Sequence, residues 1–435
     1  MIRFSVVAFL LCFVFSVASC GFAQTRYEME PINYSRATPT DKVYQFSQNL
    51  KNGTESLEWD NQHGYLKSLL SKLKVPVSSQ ALVFSKTSLQ VSSITPSHPR
   101  ALYFNDDIYI GWVQNGKVIE ISAADSELGA TFYTLSQEES KRPIVERETS
   151  RCLQCHGSSH TRGKPGHIVR SVFPTDTGLP QYNLGTHLID GGTEYEKRFG
   201  GWYVTGTHGK LRHMGNSWLP KTTKTGMKRF DRDASELDVE KHANLESLDS
   251  LFDTSPYLTG HSDLVAQLVL QHQVHMHNVL TAAIFAGRQA AHDAVVMNEV
   301  LEREPGFESE STISLYTSAA ERVVKALLFC DEVPLVDPVK GSSNFATDFE
   351  KQGPFDSKER SLRQLDLKGR LFRYPCSFFI YSDSFRTLPV GVKVRVVKRL
   401  NEVLLGEDTS DEFDHLAEAD REAIKAILDE TLETR

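Results

Sequence analysis

The feature that most constrains this chain is one short motif, Cys152-Leu153-Gln154-Cys155-His156. Two thiols separated by two residues and followed at once by a histidine form the pattern that attaches a c-type haem. This spacing lets both thiols reach the two vinyl groups of one porphyrin, while the adjacent imidazole faces the iron. The motif therefore predicts one covalent haem c, with Cys152 and Cys155 as thioether anchors and His156 as the proximal iron ligand.

Cysteine pairs of this spacing also occur in zinc sites and in thiol redox proteins. A structural zinc site needs four ligands, and His160 and His167 are close enough in sequence to complete one. Zinc and a plain disulfide at the motif therefore remain as alternatives. A separate disulfide between Cys330 and Cys376 is also open, because sequence does not show whether two cysteines come within bonding distance.

Residues 1–23 have the pattern of an export signal. Arg3 supplies the positive charge, and residues 4–17 form an apolar core too short to span a membrane comfortably. The four residues that end at Cys20 resemble a lipobox, which predicts a lipidated Cys20 and a membrane tether; cleavage before Gln24 is the alternative. Both endings predict a periplasmic or outer-membrane-anchored protein, and export favours haem because bacteria attach c-type haem outside the cytoplasm.

The composition is that of an ordinary globular protein, with 40% hydrophobic and 24% charged residues. The net charge is −8, or −9 once Arg3 is removed with the leader. An acidic chain without a basic cluster argues against nucleic acid as a partner. The expected partner is a redox protein or a small-molecule electron donor or acceptor.

The hydrophobic pattern predicts an α+β fold in three parts after the leader. Residues 24–145 form a small α+β unit with a β-hairpin at Asn115-Gly116, for which a type I′ turn is expected. Residues 146–225 carry the motif and a Gly-rich stretch of loops, which a haem would hold in place. Residues 226–435 are mainly helical. Helices are predicted near residues 42–50, 65–73, 263–304, 311–329, 390–405 and 414–432, and residues 344–359 are predicted to form a loop.

The second iron ligand is the main functional question, since a six-coordinate haem carries electrons and an open iron binds small molecules. Met214 is the first candidate, because it stands 58 residues after the motif histidine in a Gly-rich loop. His208 and His213 share that loop. His272 and Met276 lie four residues apart on one predicted helix face. All of these remain alternatives, as does an iron with no second protein ligand.

Other residues near the motif are candidates to contact the haem edge. Arg212, Arg170 and Lys164 carry the positive charge that haem propionates require. Trp202 and Tyr203 have large rings that can pack on a porphyrin, and polar hydrogens that can reach a propionate.

Several segments resemble a group of exported, uncharacterised bacterial proteins that carry a single cytochrome c motif. The segments are residues 152–156, 165–173, 200–209, 212–216, 272–280 and 371–381. The resemblance implies haem binding and, from the haem, electron transfer. It implies no substrate.

The leading interpretation is an exported mono-haem c-type cytochrome that transfers single electrons. One alternative is a haem enzyme with an open distal site that acts on peroxide or small oxyanions. Another is a haem-containing sensor or binding protein. The mature chain is much longer than electron transfer requires, so whether the protein is an enzyme stays open.

Overall fold

The structure is a computed structural model of the 435-residue chain and describes residues 25–221, 233–408 and 410–432. The leader and the lipobox prediction at Cys20 lie outside the described residues. The fold is α+β, as predicted: an antiparallel sheet comes first, an irregular segment follows, and long helices complete the chain.

Six strands form an antiparallel sheet in which every strand pairs with its neighbour in sequence. The strands are β1 (Ala81–Val83), β2 (Arg100–Phe104), β3 (Ile108–Trp112), β4 (Val118–Asp125), β5 (Gly129–Ser136) and β6 (Val145–Arg147). Every second residue of β4 is buried, whereas all but the last residue of β5 are buried. Strand β5 is therefore covered on both faces, as expected of a strand inside the protein.

The β3–β4 hairpin is confirmed, with Gly111 paired to Glu120. The predicted type I′ turn is wrong, because that turn needs positive φ at both central residues. Only Asn115 has a positive φ, of 56°, and the turn closes with a 2.9 Å bond from the Gly116 N–H to the Val113 carbonyl.

Two short helices cover one face of the sheet, α1 (Lys42–Asn52) and α2 (Leu66–Lys72). Helix α1 begins at Asp41, whose carboxylate accepts hydrogen bonds from the Val43 and Tyr44 N–H groups. Apolar residues of both helices pack with the strands in one hydrophobic cluster. This cluster holds helices α1 and α2 against the sheet.

The described residues of the middle of the chain are irregular, as predicted, and contain only short elements. They are the one-turn helix α3 (Leu153–His156), the paired strands β7 (Arg170–Val172) and β8 (Thr186–Leu188), and β9 (Gly206–Thr207). Close backbone packing holds this segment together. At Gly200, a Cβ atom would stand 2.2 Å from the Val172 carbonyl oxygen, so only glycine fits there.

The C-terminal part is mainly helical, as predicted. Its elements are α4 (Leu264–Val300), α5 (Glu310–Leu327), β10 (Lys340–Gly341), α6 (Phe345–Glu350), α7 (Asp383–Arg386), α8 (Val390–Leu404) and α9 (Glu418–Thr431). Asp263 caps helix α4. The predicted loop over 344–359 is wrong in its first half, because burial of Phe345 and Phe349 in the aromatic core stabilises α6.

Helix α4 is the central element of the fold. It packs against β5 on one side and against α5, α6, α7 and α8 on others. The main hydrophobic cluster includes residues from all three predicted parts, from Tyr27 through Phe132 to Leu428. The three parts therefore share one core. Among the described residues, no helix is both long and apolar enough to cross a membrane.

Candidate functional site

The motif lies directly beside a cavity. It follows strand β6, and helix α3 closes with a 2.9 Å bond from the His156 N–H to the Cys152 carbonyl. One helical turn brings residues three and four apart to the same side. Cys152, Cys155 and His156 accordingly all line one cavity of about 280 Å³, called here the motif cavity.

The walls of the motif cavity are largely apolar. They come from strands β2 to β5, from residues 167–170 and from helix α4. Apolar residues in the lining include Phe104, Phe132, Val169, Trp202, Leu270 and Val274. An apolar cleft with a few polar groups is what binds flat organic cofactors. The lining therefore fits the faces of a porphyrin.

The His156 ring is held in the tautomer that a metal ligand requires. Its Nδ1 lies 2.9 Å from the Gly166 carbonyl oxygen. A carbonyl oxygen only accepts, so Nδ1 must donate the proton, which leaves a lone pair on Nε2. Burial lowers the pKa of His156 to about 4, so the ring is neutral near pH 7.

The cysteine environment does not support the thiol redox alternative. Cys152 is half-buried, and burial raises the pKa of its thiol to about 12. A redox-active Cys-x-x-Cys pair instead needs a thiol with a lowered pKa. Cys155 is exposed, so the motif stands at the rim of the cavity.

All four cysteines among the described residues are free thiols. The disulfide considered between Cys330 and Cys376 is therefore not formed in the structure. No group of three or more His, Cys, Asp or Glu side chains suited to a metal ion is found in the described ranges. A haem iron takes four nitrogens from the porphyrin and needs at most two ligands from the protein.

Helix α4 positions the carbonyl that orients His156. The Asn278 side chain accepts a 2.9 Å bond from the His167 N–H and donates a 2.8 Å bond to the His167 carbonyl. A Cβ on Gly166 would stand 2.6 Å from the Asn278 amide oxygen, so glycine is required at that contact. Asn278 thus fixes residues 166 and 167 against α4.

We expect Asn278→Ala to loosen this contact and destabilise the protein by ~1–2 kcal/mol, because two partly buried hydrogen bonds are lost. A haem iron bound to His156 would then have a higher reduction potential, because a weaker Nδ1–H bond makes the imidazole a less basic ligand. Urea unfolding and redox titration measure the two effects. Gln289→Ala is the matched control, since Gln289 is an exposed amide on the same helix. Equal effects of the two substitutions would contradict the positioning role.

A row of packed rings backs the motif histidine. Phe132 lies 4.8 Å from His156 and 6.4 Å from His167 between ring centroids. His167 in turn lies 5.5 Å from His277, which lies 4.8 Å from Phe379. The rings next to His156 are thus closely packed, because each ring contacts the next one.

Three arginines line the motif cavity, Arg100, Arg151 and Arg170. Arg151 is paired with Glu148, and Arg100 donates a 2.8 Å bond to Glu120. The Nε atoms of Arg100 and Arg170 are buried and have no hydrogen-bond partner in the described structure. Buried donors without a partner are rare in proteins. These two groups therefore fit the propionate edge of a haem.

Of the other predicted edge contacts, only Trp202 lines the motif cavity. Its indole N–H already donates to the Arg170 carbonyl at 2.9 Å, so the ring contributes packing. Arg212 lies elsewhere and donates to Glu240 at 2.7 Å. Tyr203 is fully buried and donates to the Pro96 carbonyl, and Lys164 is not among the lining residues.

The structure places Met214 away from the motif cavity. Its sulfur accepts a 3.6 Å bond from the Ser171 hydroxyl. The side chain is buried in a small cluster with Phe173, Leu219 and Leu237. The cluster and the hydroxyl contact give Met214 a packing role, and the geometry gives no support to its prediction as the distal ligand.

The alternative distal histidines have other partners. The His208 Nδ1 donates to the Leu211 carbonyl at 2.7 Å, and its Nε2 accepts from the Asn244 N–H at 2.9 Å. The His213 Nδ1 accepts from the Gly215 N–H at 3.0 Å, so Nε2 carries its proton. Neither ring presents a free lone pair, and neither lines the motif cavity.

The two candidates on helix α4 also face other surroundings. His272 pairs with the Ser377 hydroxyl at 2.8 Å, and Met276 is buried in the main core. Among the described lining residues, the other imidazole is that of His167, whose Nε2 pairs with the Ser122 hydroxyl at 2.7 Å. Phe132 contacts both His167 and His156, so the two histidines are neighbours.

Sequence analysis missed Arg100, Phe132 and Asn278 as parts of this site. Each belongs to a regular strand or helix with no local motif around it. Their proximity to the motif arises only from contacts between distant parts of the chain, such as the 111-residue separation of His167 and Asn278.

Comparisons with protein-family models, with curated proteins and with solved structures gave no match for this chain.

Proposed function

We propose that this chain is an exported mono-haem c-type cytochrome that transfers single electrons. The observation that carries the proposal is the convergence of both motif thiols and the His156 imidazole on one apolar cavity. A haem c bound there would supply one-electron exchange between its ferric and ferrous states.

Each residue of the site has a defined task in this proposal. Cys152 and Cys155 hold the cofactor through thioether bonds, and His156 provides Nε2 to the iron. The Gly166 carbonyl keeps the imidazole proton on Nδ1. Arg100 and Arg170 neutralise the propionate edge, and the apolar walls exclude water, which tunes the reduction potential.

The exposure of Cys155 supports an electron-transfer role. It places the motif at the protein surface, so one edge of the cofactor would be accessible to a redox partner. The acidic net charge of the chain favours a partner with a basic or neutral docking surface.

A second candidate function is favoured by the positions of the five distal candidates. Met214, His208, His213, His272 and Met276 are all absent from the described lining of the motif cavity. An iron held by His156 alone would have an open position. The protein would then be a haem enzyme that acts on peroxide or small oxyanions, or a haem-containing sensor.

The deciding experiment is an absorption spectrum of the protein matured with a c-type haem assembly system. We expect one covalent haem per chain, measured by pyridine haemochrome assay and intact mass. A low-spin reduced spectrum that carbon monoxide does not change supports the electron carrier. A spectrum that carbon monoxide shifts supports the second candidate. A protein without covalent haem contradicts both.

A further inference from the structure

A second cavity lies on the other side of helix α4 from the motif. Leu270 and Val274 of this helix face the motif cavity, whereas Gln271, His272 and His275 line the second cavity. Its volume is about 600 Å³. Helix α5, the residues that follow it and the segment around residue 190 form the remaining walls. The two cavities share no lining residue among those described.

The second cavity is rich in cations. Arg162, Arg198, Arg322 and Lys325 line it. Lys325 is paired with Glu412, and Arg198 is held by bonds to the Thr193 and Gly191 carbonyls and to Gln271.

Arg162 and Arg322 are different from the other two cations. Both are exposed, and neither guanidinium has a hydrogen bond or ion pair within the described part of the chain. Lys164 lies close to them. Burial lowers the pKa of Lys164, and the positive charges of Arg162, Arg322 and Arg26 lower it further. Like charges gathered in this way raise the free energy of the protein unless an anion balances them.

Three carboxylates line the second cavity, Asp190, Asp331 and Glu332. They stand against three cations, Arg162, Arg198 and Arg322, because Lys325 is already paired with Glu412. Burial raises the pKa of Glu332 to about 7, even though Arg198 and Arg370 act in the opposite direction. The partial loss of the Glu332 charge, together with the neighbouring Lys164, leaves this region with a net positive charge.

The cavity interior offers further polar contacts. The His275 ring is half-buried and has no hydrogen bond in the described structure, and burial lowers its pKa, which favours the neutral form. His272 is stacked on Phe329 with ring centroids 4.6 Å apart. A bound molecule would thus meet a neutral donor and acceptor inside and guanidinium groups at the entrance.

We propose that the second cavity binds a small oxyanion, a molecule that carries a carboxylate or a phosphate. Arg162 and Arg322 form charge-assisted hydrogen bonds to the oxyanion, and His275 contacts its body. Guanidinium groups match the geometry of both oxyanions and bind them with two parallel hydrogen bonds. The site is independent of the haem proposal, since its residues belong to another cavity.

Isothermal titration calorimetry of the mature protein with sodium phosphate and with sodium succinate tests the site. We expect at least one of them to bind, and Arg162→Gln/Arg322→Gln to weaken binding about tenfold or more. Both arginines are exposed, so the fold should be kept, which circular dichroism verifies. Arg142→Gln is the control, because Arg142 is exposed and lines neither cavity.

The two titrations also identify the ligand class. Binding of phosphate alone assigns a phosphate-bearing ligand, and binding of succinate alone assigns a carboxylate. Binding of both indicates a general oxyanion site. If neither anion binds, or if the double variant binds as tightly as the unaltered protein, the proposal is wrong.

Discussion

Replacement of both motif cysteines, Cys152→Ala/Cys155→Ala, is expected to abolish covalent haem attachment completely. Each of the two thioether bonds needs its own cysteine thiol. Among the described residues, no cysteine other than Cys152 and Cys155 lines the motif cavity. Each single variant should keep one thioether bond and therefore some covalent haem. Haem staining of denatured protein and intact mass measure the loss.

The loss should also lower stability. A covalent haem stays on the chain when the protein unfolds, but only the folded protein buries its apolar faces, so the haem stabilises the native state. We therefore expect the double variant to unfold at a lower urea concentration than the haem-loaded protein. Cys330→Ser is the control, because Cys330 is a free thiol outside the motif cavity. Covalent haem in the double variant would refute the assignment of both anchors.

Asp41→Ala should be a strongly destabilising substitution outside the site. One carboxylate oxygen caps helix α1 through the Val43 and Tyr44 N–H groups, at 2.8 and 2.9 Å. The other accepts from the Thr131 and Tyr133 hydroxyls of strand β5. We expect a loss of roughly 2–4 kcal/mol, because a cap is removed and the buried Tyr133 hydroxyl loses its acceptor, whereas the Thr131 hydroxyl keeps the Ala123 carbonyl.

The cap and the buried bonds can be separated by two further variants. Asp41→Asn keeps an oxygen for the cap and should cost clearly less than Asp41→Ala. Ser309→Ala removes a cap on helix α5 that has no buried hydroxyl of the sheet as a partner, and should cost ~1 kcal/mol. Urea unfolding followed by circular dichroism measures all three. Equal losses in Asp41→Ala and Ser309→Ala would show that the bonds to β5 contribute nothing.

Strand β5 connects Asp41 to the candidate site, so the substitution should also affect the packing of that site. Tyr133 and Phe132 are neighbours on this strand, and both line the motif cavity. Phe132 also packs against the His156 ring. The Asp41 cap of helix α1 therefore helps to hold the rings that pack against His156 in place.

Much of the fold could be predicted from local sequence patterns. The hydrophobic pattern predicted helix α4 near residues 263–304 and the hairpin that joins β3 and β4, because both signals lie within a few residues of each other. Helix α6 was missed because its six residues are too few to show a period. The turn at Asn115 was assigned the wrong type. The preference of Asn-Gly for a type I′ turn is local, whereas the Gln90 side chain, from a distant part of the chain, accepts a hydrogen bond from the neighbouring Lys117 N–H.

The candidate site was predictable only where its chemistry is local. Cys152, Cys155 and His156 lie within one helical turn, so their spacing alone places them on one side of the chain. Met214 was chosen by its distance along the chain, which does not determine where a methionine packs. The structure buries it with Phe173 and Leu219 instead.

The sequence by itself determined the Cys-x-x-Cys-His motif, the α+β class and the order of helices and strands, because these depend on residues a few positions apart. The tertiary structure decided which walls enclose the motif, through strands β2 to β5 and helix α4. It also decided which imidazole nitrogens are free. His156 keeps Nε2 available because Gly166 accepts its other proton, whereas the ring nitrogens of His208 are both engaged. A ligand's availability depends on its hydrogen-bond partners, and folding alone brings those partners together.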